Sequence, residues 1–533
     1  MKNHYTYSLL LFASLLLFGC KKQHKDDHGG HTVSDTYTYD YAIKSFNQTN
    51  APALQSFVHA THGKDWLLFA GRTNTVDSLL GGLHDLNGNY ANTSFVKKSF
   101  NDSVFVYVAD KTNPKRYAIH YNDVWTELNA ACENGNIASE KYCTDLKGVD
   151  QDTFSALFIN SNPLVTQDGG FLYVVGGYGS IGQQNTSKSY NTFNQVARFH
   201  IASMVKLVKG ETLTDVEWAT LFRLGQNKSL ISTGAEIMKM YSKNSKGGVT
   251  TTFYLSGGHN FGTTAPNDNQ KYVDAVYPFT VAAGDSLNLA ISVQDAISDV
   301  EDPTLPIADE NSIFRRRDGP VVPSMYWNDL NKTYEQSLTF YAGVFKPGED
   351  LQAWNSAIYV HPDFANDRLY THDTAYDQNN YNVYACANFV AFDSDTKLLH
   401  TFLLGGIGDG KYTPQSLSGF TNTGLHIALK TDSLKSSVVK RQDNIFGTTS
   451  NFYGAESVLI PSEGITKVKF AGVDSEMIDL KNVAFTKDSV LVGHIYGGIE
   501  AFQSNPGTYG KDNSAASNKI WEVYLTRKKS STD

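Results

Sequence analysis

FLYVVGGYGS, residues 171–180, runs five apolar residues into a glycine pair and then a tyrosine. Such a pair is either one tight turn or one instance of a recurring unit, and a recurring unit makes the fold a repeat architecture. The same figure returns five more times along the chain: WLLFAG (66–71), TFYLSGG (252–258), LTFYAG (338–343), HTFLLGG (400–406) and VGHIYGG (492–498). Each follows a turn rich in Gly, Asp, Asn or Lys. Before the turn lies another β-rich segment, as in SFVHATH, GAEIMKMYS, GPVVPSMYW, CANFVAF and GAESVLI. A hairpin therefore opens each unit, and its second strand closes on the small pair.

After the pair comes a polar loop of varied length and then an alternating strand: NQVARFHI, YVDAVYPFTV, NSAIYVHPD, TGLHIAL or NKIWEVYL. In the first unit VFVYVAD and RYAIHYNDVW read as the outer strands. Four antiparallel strands with a diglycine after the second resemble the kelch repeat, the blade of a β-propeller. The resemblance spans residues 36–527 and implies an all-β, six-bladed kelch-type propeller. Units one and four carry Ala-Gly in place of Gly-Gly. The last residues of the pairs are 106, 81, 85, 63 and 92 positions apart. Kelch units run to about 50 residues, so long insertions are expected. The widest gap leaves seven blades as the alternative count. Nothing strand-like follows IWEVYL (520–525), so TYTYDYAI (36–43) is expected to supply the outer strand of the last blade and close the ring.

The 533 residues carry a net charge of −9, spread without blocks, and aromatics make up 12%. No basic stripe marks a nucleic-acid surface. The first residues, MKNHYTYSLLLFASLLLFGC, have a basic start and an apolar stretch from Leu9 to Phe18, the pattern of a secretory signal. Leu17-Phe18-Gly19-Cys20 resembles the lipobox of bacterial lipoproteins, which implies cleavage after residue 19 and lipidation of Cys20. Residues 20–35 read as a polar tether, 36–527 as one propeller domain and 528–533 as a tail. Lys25-Asp26-Asp27 resembles the export signal of some Bacteroidetes lipoproteins, which implies an outer-membrane location with the leaflet undecided. Cys132 and Cys143 bracket a Gly/Asn/Ser-rich stretch and are expected to form a loop disulfide. Cys386, inside an apolar strand, is expected to be buried.

In kelch propellers the loops after the second strand and those entering the first strand surround the channel mouth. The resemblance therefore points to Arg72, Tyr178, His259 and Asn260 after the small pairs. It also points to Glu236, Arg315, Arg316, Arg317, Tyr453 and Glu456 at the entries. Such a set suits a glycan or envelope-protein ligand held by hydrogen bonds and ring stacking. The Arg315–Arg317 run, ahead of GPVVPSMYW, reads either as a carboxylate-recognition site or as guanidiniums paired with nearby acids such as Asp299. Histidines, among them His59, are scattered and read as structural. No HExxH, no Cys/His zinc spacing and no Gly-x-Ser-x-Gly elbow occurs, so no metal, cofactor or hydrolytic signature is present. The sequence reading is thus a membrane-anchored ligand-binding lipoprotein. A carbohydrate-active enzyme of the mutarotase, epimerase or lyase type, acting on an acidic sugar, is the alternative.

Overall fold

A computed structural model of the chain describes residues 37–46, 50–74, 99–180, 190–261, 270–300, 312–347, 353–362, 369–408, 419–504 and 514–530. Half of the chain is strand and 11% helix, and six small sheets stand in a ring as a six-bladed β-propeller. Blades one to five each take four strands in chain order, starting at Val58–His62, Leu164–Asp168, Glu236–Lys243, Val321–Asn328 and Ala387–Asp393. Blade six begins with Val458–Pro461 and ends with Ile520–Lys529, and its outermost strand is Tyr37–Ser45 from the chain start. Nine register pairs, from Tyr37↔Lys529 to Ser45↔Trp521, join the two ends of the chain. The expected closure is observed, and no seventh blade is present among the described residues.

The small pairs of blades one, two, three, five and six each hydrogen-bond to the next blade. The N–H of Gly71 donates to Asn160 O at 2.7 Å, Gly177 to Ser232 O at 3.0 Å, Gly258 to Arg316 O at 2.7 Å and Gly498 to Leu54 O at 2.9 Å. In the Gly-Gly pairs the preceding glycine sits where a side chain would collide, whereas blade one carries Ala70 there, at φ 54°. A Cβ on Gly176 would stand 2.1 Å from Ser232 O, and one on Gly257 2.6 Å from Arg316 O. Both residues also hold positive φ, 63° and 76°. The residue after each pair then bridges back to the chain entering a first strand, as in Gln55↔Arg72, Ser161↔Tyr178, Thr233↔His259 and Arg317↔Val344.

Strand-based reading missed the helices. RYAIHYNDVW is strand only to His120, where α1 (Tyr121–Glu133) begins. Val124, Leu128 and Ala131 in α1 are buried at helical spacing, and a capping box joins His120 with Asp123. α2 (Glu140–Lys147) and α3 (Gln151–Ser155) follow. The Cys132–Cys143 disulfide forms, with Cα atoms 5.6 Å apart, and it ties α1 to α2 in place of closing an irregular loop. α4 (Ile201–Val208) and α5 (Asp215–Thr220) lie between the outer strands of blade two. Their apolar faces share one core with blades one and two, where Phe69, Phe154, Phe158, Phe199 and Phe222 pack at ring separations of 5.1–5.9 Å. α1–α3 lie in the widest gap between the small pairs, and α4 and α5 in the next.

Because the seam leaves no room for a methyl group and φ is positive, Gly257→Ala is expected to destabilise the protein by about 2–3 kcal/mol. Chemical denaturation measures this; a variant as stable as the parent would show that the blade three to four seam relaxes freely.

Candidate functional site

Two residues before each first strand, and three in blade four, the backbone turns into the channel and forms a collar. Asn162 N–H donates to Ser56 O at 3.2 Å, Gly234 to Asn162 O at 3.4 Å, Asp318 to Gly234 O at 2.9 Å and Glu456 to Ala385 O at 2.9 Å. Ala385 N–H donates to Asp318 O, and the round is completed by Ser56 Oγ donating to the Glu456 carboxylate. Ser56, Asn162, Asp318 and Glu456 all hold φ between 48° and 55°, a conformation that costs a non-glycine residue about 1–3 kcal/mol. The interblade hydrogen bonds hold them there. All six collar residues line a small cavity of about 130 Å³, together with His59 and Glu236.

On the other side of the collar the channel widens to a cavity of about 580 Å³, walled by the first strands of all six blades. The opposite end is crossed by a hairpin, Lys467–Phe470 with Val473–Asp479, inserted between the first and second strands of blade six. This plug pairs in parallel with the innermost strand of blade five at Ala391↔Ile478 and Phe392↔Asp479. It brings Glu476 and Lys467 to the wall of the cavity. Lys239 Nζ, from blade three, lies 2.9 Å from Glu476 Oε1 and also donates to Gln167 O.

The cavity therefore gathers titratable groups whose environments pull them apart. Burial, with the negative charges of Glu476 and Asp318, pushes the Glu236 carboxyl up to about 8, so it is neutral at pH 7. Burial takes His59 down to about 4, so its imidazole is also neutral. Burial works against ionisation of Glu476, but Lys239 and Lys467 outweigh it and hold that carboxyl below its usual range. At the collar, burial raises Asp318 to about 6 against the pull of Arg317, with Glu456 adding to the rise. Tyr384 Oη donates to Glu456 Oε1 at 3.3 Å, and its own proton is held far above the usual range by burial and these two acids. A neutral acid, a neutral imidazole and a paired carboxylate thus border one space, with Thr61, Gln167 and Asn388 beside them. Such a set can donate to and accept from a polar ligand, or exchange protons with it.

Of the residues singled out in the sequence, Glu236 faces the large cavity and Glu456 the collar. Arg72, Tyr178, His259 and Asn260 are buried beside the seams, 3–5% exposed. Tyr178 packs on Tyr190 and Phe261. His259 sits against Phe261, with Arg317 Nη1 3.1 Å from its Nδ1. Tyr453 is buried and donates to Glu500 at 2.9 Å. The arginine run splits three ways. Arg316 is enclosed, donating to the carbonyls of Ile313, Ala342 and Ser356 with its guanidinium 4.5 Å from the Trp354 ring. Arg315 donates to Phe345 O at 2.5 Å and stacks on Tyr272 at 3.9 Å, and Arg317 lies 3.4 Å from Asp318. Cys386 is buried, unpaired and borders the cavity, with burial pushing its thiol up to about 12. Cys20 lies outside the described residues. Sequence reasoning missed Glu476, Lys239 and Lys467. The only signal was GITKVKFAGVDSEMIDL, a hairpin pattern lying where a short turn was expected. Among the described residues, no group of three or more His, Cys, Asp or Glu is placed to hold a metal ion.

A carboxyl that binds its proton more tightly when folded makes stability fall as pH rises from its ordinary value of 4.5 to about 8, and level off above. Between about pH 6.5 and 8.5, above the range of Asp318 and the buried histidines, the parent is expected to lose roughly 1–2 kcal/mol that Glu236→Gln does not lose. Denaturant midpoints across that range read the difference; parallel curves would place the Glu236 proton elsewhere.

No protein-family model matches the chain, and no curated protein sequence matches it. Among solved structures it is similar to one titled "Structure of YjhT", at 10% identity and a TM-score of 0.39, over 90% of this chain and 99% of that one. A likeness at that level adds nothing to what the order of the strands already shows, a six-bladed β-propeller.

Proposed function

We propose that the protein is an envelope lipoprotein, held to the membrane through Cys20, whose propeller binds a small polyhydroxylated ligand such as a glycan fragment inside the channel. The observation that carries this reading is the 580 Å³ cavity between collar and plug. Its size falls within the range typical of small-molecule sites. Its wall mixes apolar residues such as Met238, Val390 and Leu459 with a few converging polar groups, Glu236, His59, Thr61 and Gln167. A depth of this kind favours a small ligand over a protein surface. The anchor is supported by the apolar run ending in Gly19-Cys20, and an oxidising compartment by the Cys132–Cys143 disulfide.

Titration calorimetry with mono- and disaccharides, neutral and acidic, is expected to give saturable binding that Glu236→Ala weakens about tenfold, as losing a hydrogen bond to a polar ligand does. No binding across a broad panel would sink the reading. Expressed in a Gram-negative host, the full chain is expected to partition into the detergent phase and Cys20→Ser into the aqueous phase; equal partitioning would remove the anchor.

One observation favours a second reading, catalysis of proton exchange on a sugar. Neutral Glu236 and neutral His59 border the same space as ionised Glu476, which provides an acid and a base together. If Glu236 is the acid, anomer interconversion followed by exchange NMR falls as pH rises through about 8 and is lost in Glu236→Gln. Unchanged rates across the saccharides that bind would leave binding alone.

A further inference from the structure

Lys467 differs from the other charged groups of the channel. It stands on the plug hairpin opposite Ile478, borders the cavity and is partly buried. Lys239 and Glu476 pair with each other, and on the same hairpin Lys469 pairs with Asp474 at 3.3 Å. Among the described residues the Lys467 side chain makes no ion pair or hydrogen bond. An amine placed in a confined space beside a second ammonium loses its proton more readily. Burial, with the charge of Lys239, indeed lowers Lys467 against the opposing pull of Glu476 and Asp474. In its unprotonated form such an amine is a nucleophile toward carbonyl carbon, and an unpaired lysine on the wall of a ligand-sized cavity is placed to meet one.

We infer that Lys467 captures a carbonyl-bearing ligand, an aldehyde or ketone such as the open-chain form of a reducing sugar, as a reversible imine in the channel. The lysine nitrogen adds to the carbonyl carbon and the carbonyl oxygen takes a proton, giving a carbinolamine. That hydroxyl then leaves as water with a proton from a cavity acid. Glu236 is the neutral acid in the same cavity, and its carboxylate recovers the proton from nitrogen. The overall change is amine plus carbonyl to imine plus water, with no oxidant or reductant. The inference rests on the cavity being the ligand site and adds the bond by which a ligand is held.

The full chain is incubated near pH 7 with glycolaldehyde, the simplest hydroxyaldehyde, and sodium cyanoborohydride, which reduces the imine to a stable secondary amine. Peptide mass spectrometry then compares each lysine. Lys467 is expected to be labelled at least about tenfold faster than the exposed Lys332 and Lys469, and Glu236→Gln is expected to slow Lys467 alone. Labelling of Lys467 no faster than those two overturns the inference. Lys467→Met, checked for an unchanged melting transition, separates the two readings: saccharides that bind both proteins equally, with no preferred adduct on the parent, leave the binding site standing without the imine. A preferred adduct without saccharide binding keeps the imine and removes the glycan reading.

Discussion

The architecture depends on a hydrogen bond repeated between blades, from a small-pair N–H to a carbonyl of the next blade. In the Gly-Gly pairs the two backbones meet at a distance that excludes a side chain, as at Gly176 and Gly257, whereas blade one accommodates Ala70 at the same place. The glycine pair is therefore an interblade seam more than a turn. Because the partner carbonyl lies two or three residues before the collar, the seam fixes the next blade's entry into the channel. The six entries can then bond to each other in a round, holding four non-glycine residues in a left-handed conformation that they would otherwise leave.

The collar and the plug together give the channel its chemistry. The collar carries Asp318 and Glu456 on a narrow ring, and the plug carries Glu476 and Lys467 into the other end. Glu236, on the first strand of blade three, lies between acids at both ends, and burial plus their charges keep its proton on. Lys239 neutralises Glu476 at close range, which lets an ionised and a neutral carboxyl share one cavity. The Glu476 charge of this insertion adds to the rise of Glu236 on blade three and opposes the fall of His59 on blade one, with burial the larger cause in both.

Much of the fold was legible. The inner and second strands, the blade count and the joining of Tyr37–Ser45 to Ile520–Lys529 follow from period-two apolar patterns ending at small residues. The helices were legible too but passed over: Thr214-Asp-Val-Glu217 is a capping box, and Val124, Leu128 and Ala131 keep helical spacing. Seen as strand, HYNDVW contributed an apolar tryptophan and valine without the spacing that follows them. In the site, Glu236 and Glu456 were found by position in the repeat. The residues after the small pairs were located by the same rule, and in the structure they are enclosed by the seams and the short hairpins that follow.

The sequence by itself determined where each blade begins and ends, because strand periodicity and the demand for glycine at a backbone crossing act over a few residues. It determined the pairing of the chain ends for the same reason, since only one complementary strand remained at each. Only the tertiary structure decided which polar groups share the channel and in what charge state. Glu236, His59, Lys239 and Glu476 come from two blades and an insertion, and the charge on the acids and the histidine depends on burial and on neighbours that are remote in the chain.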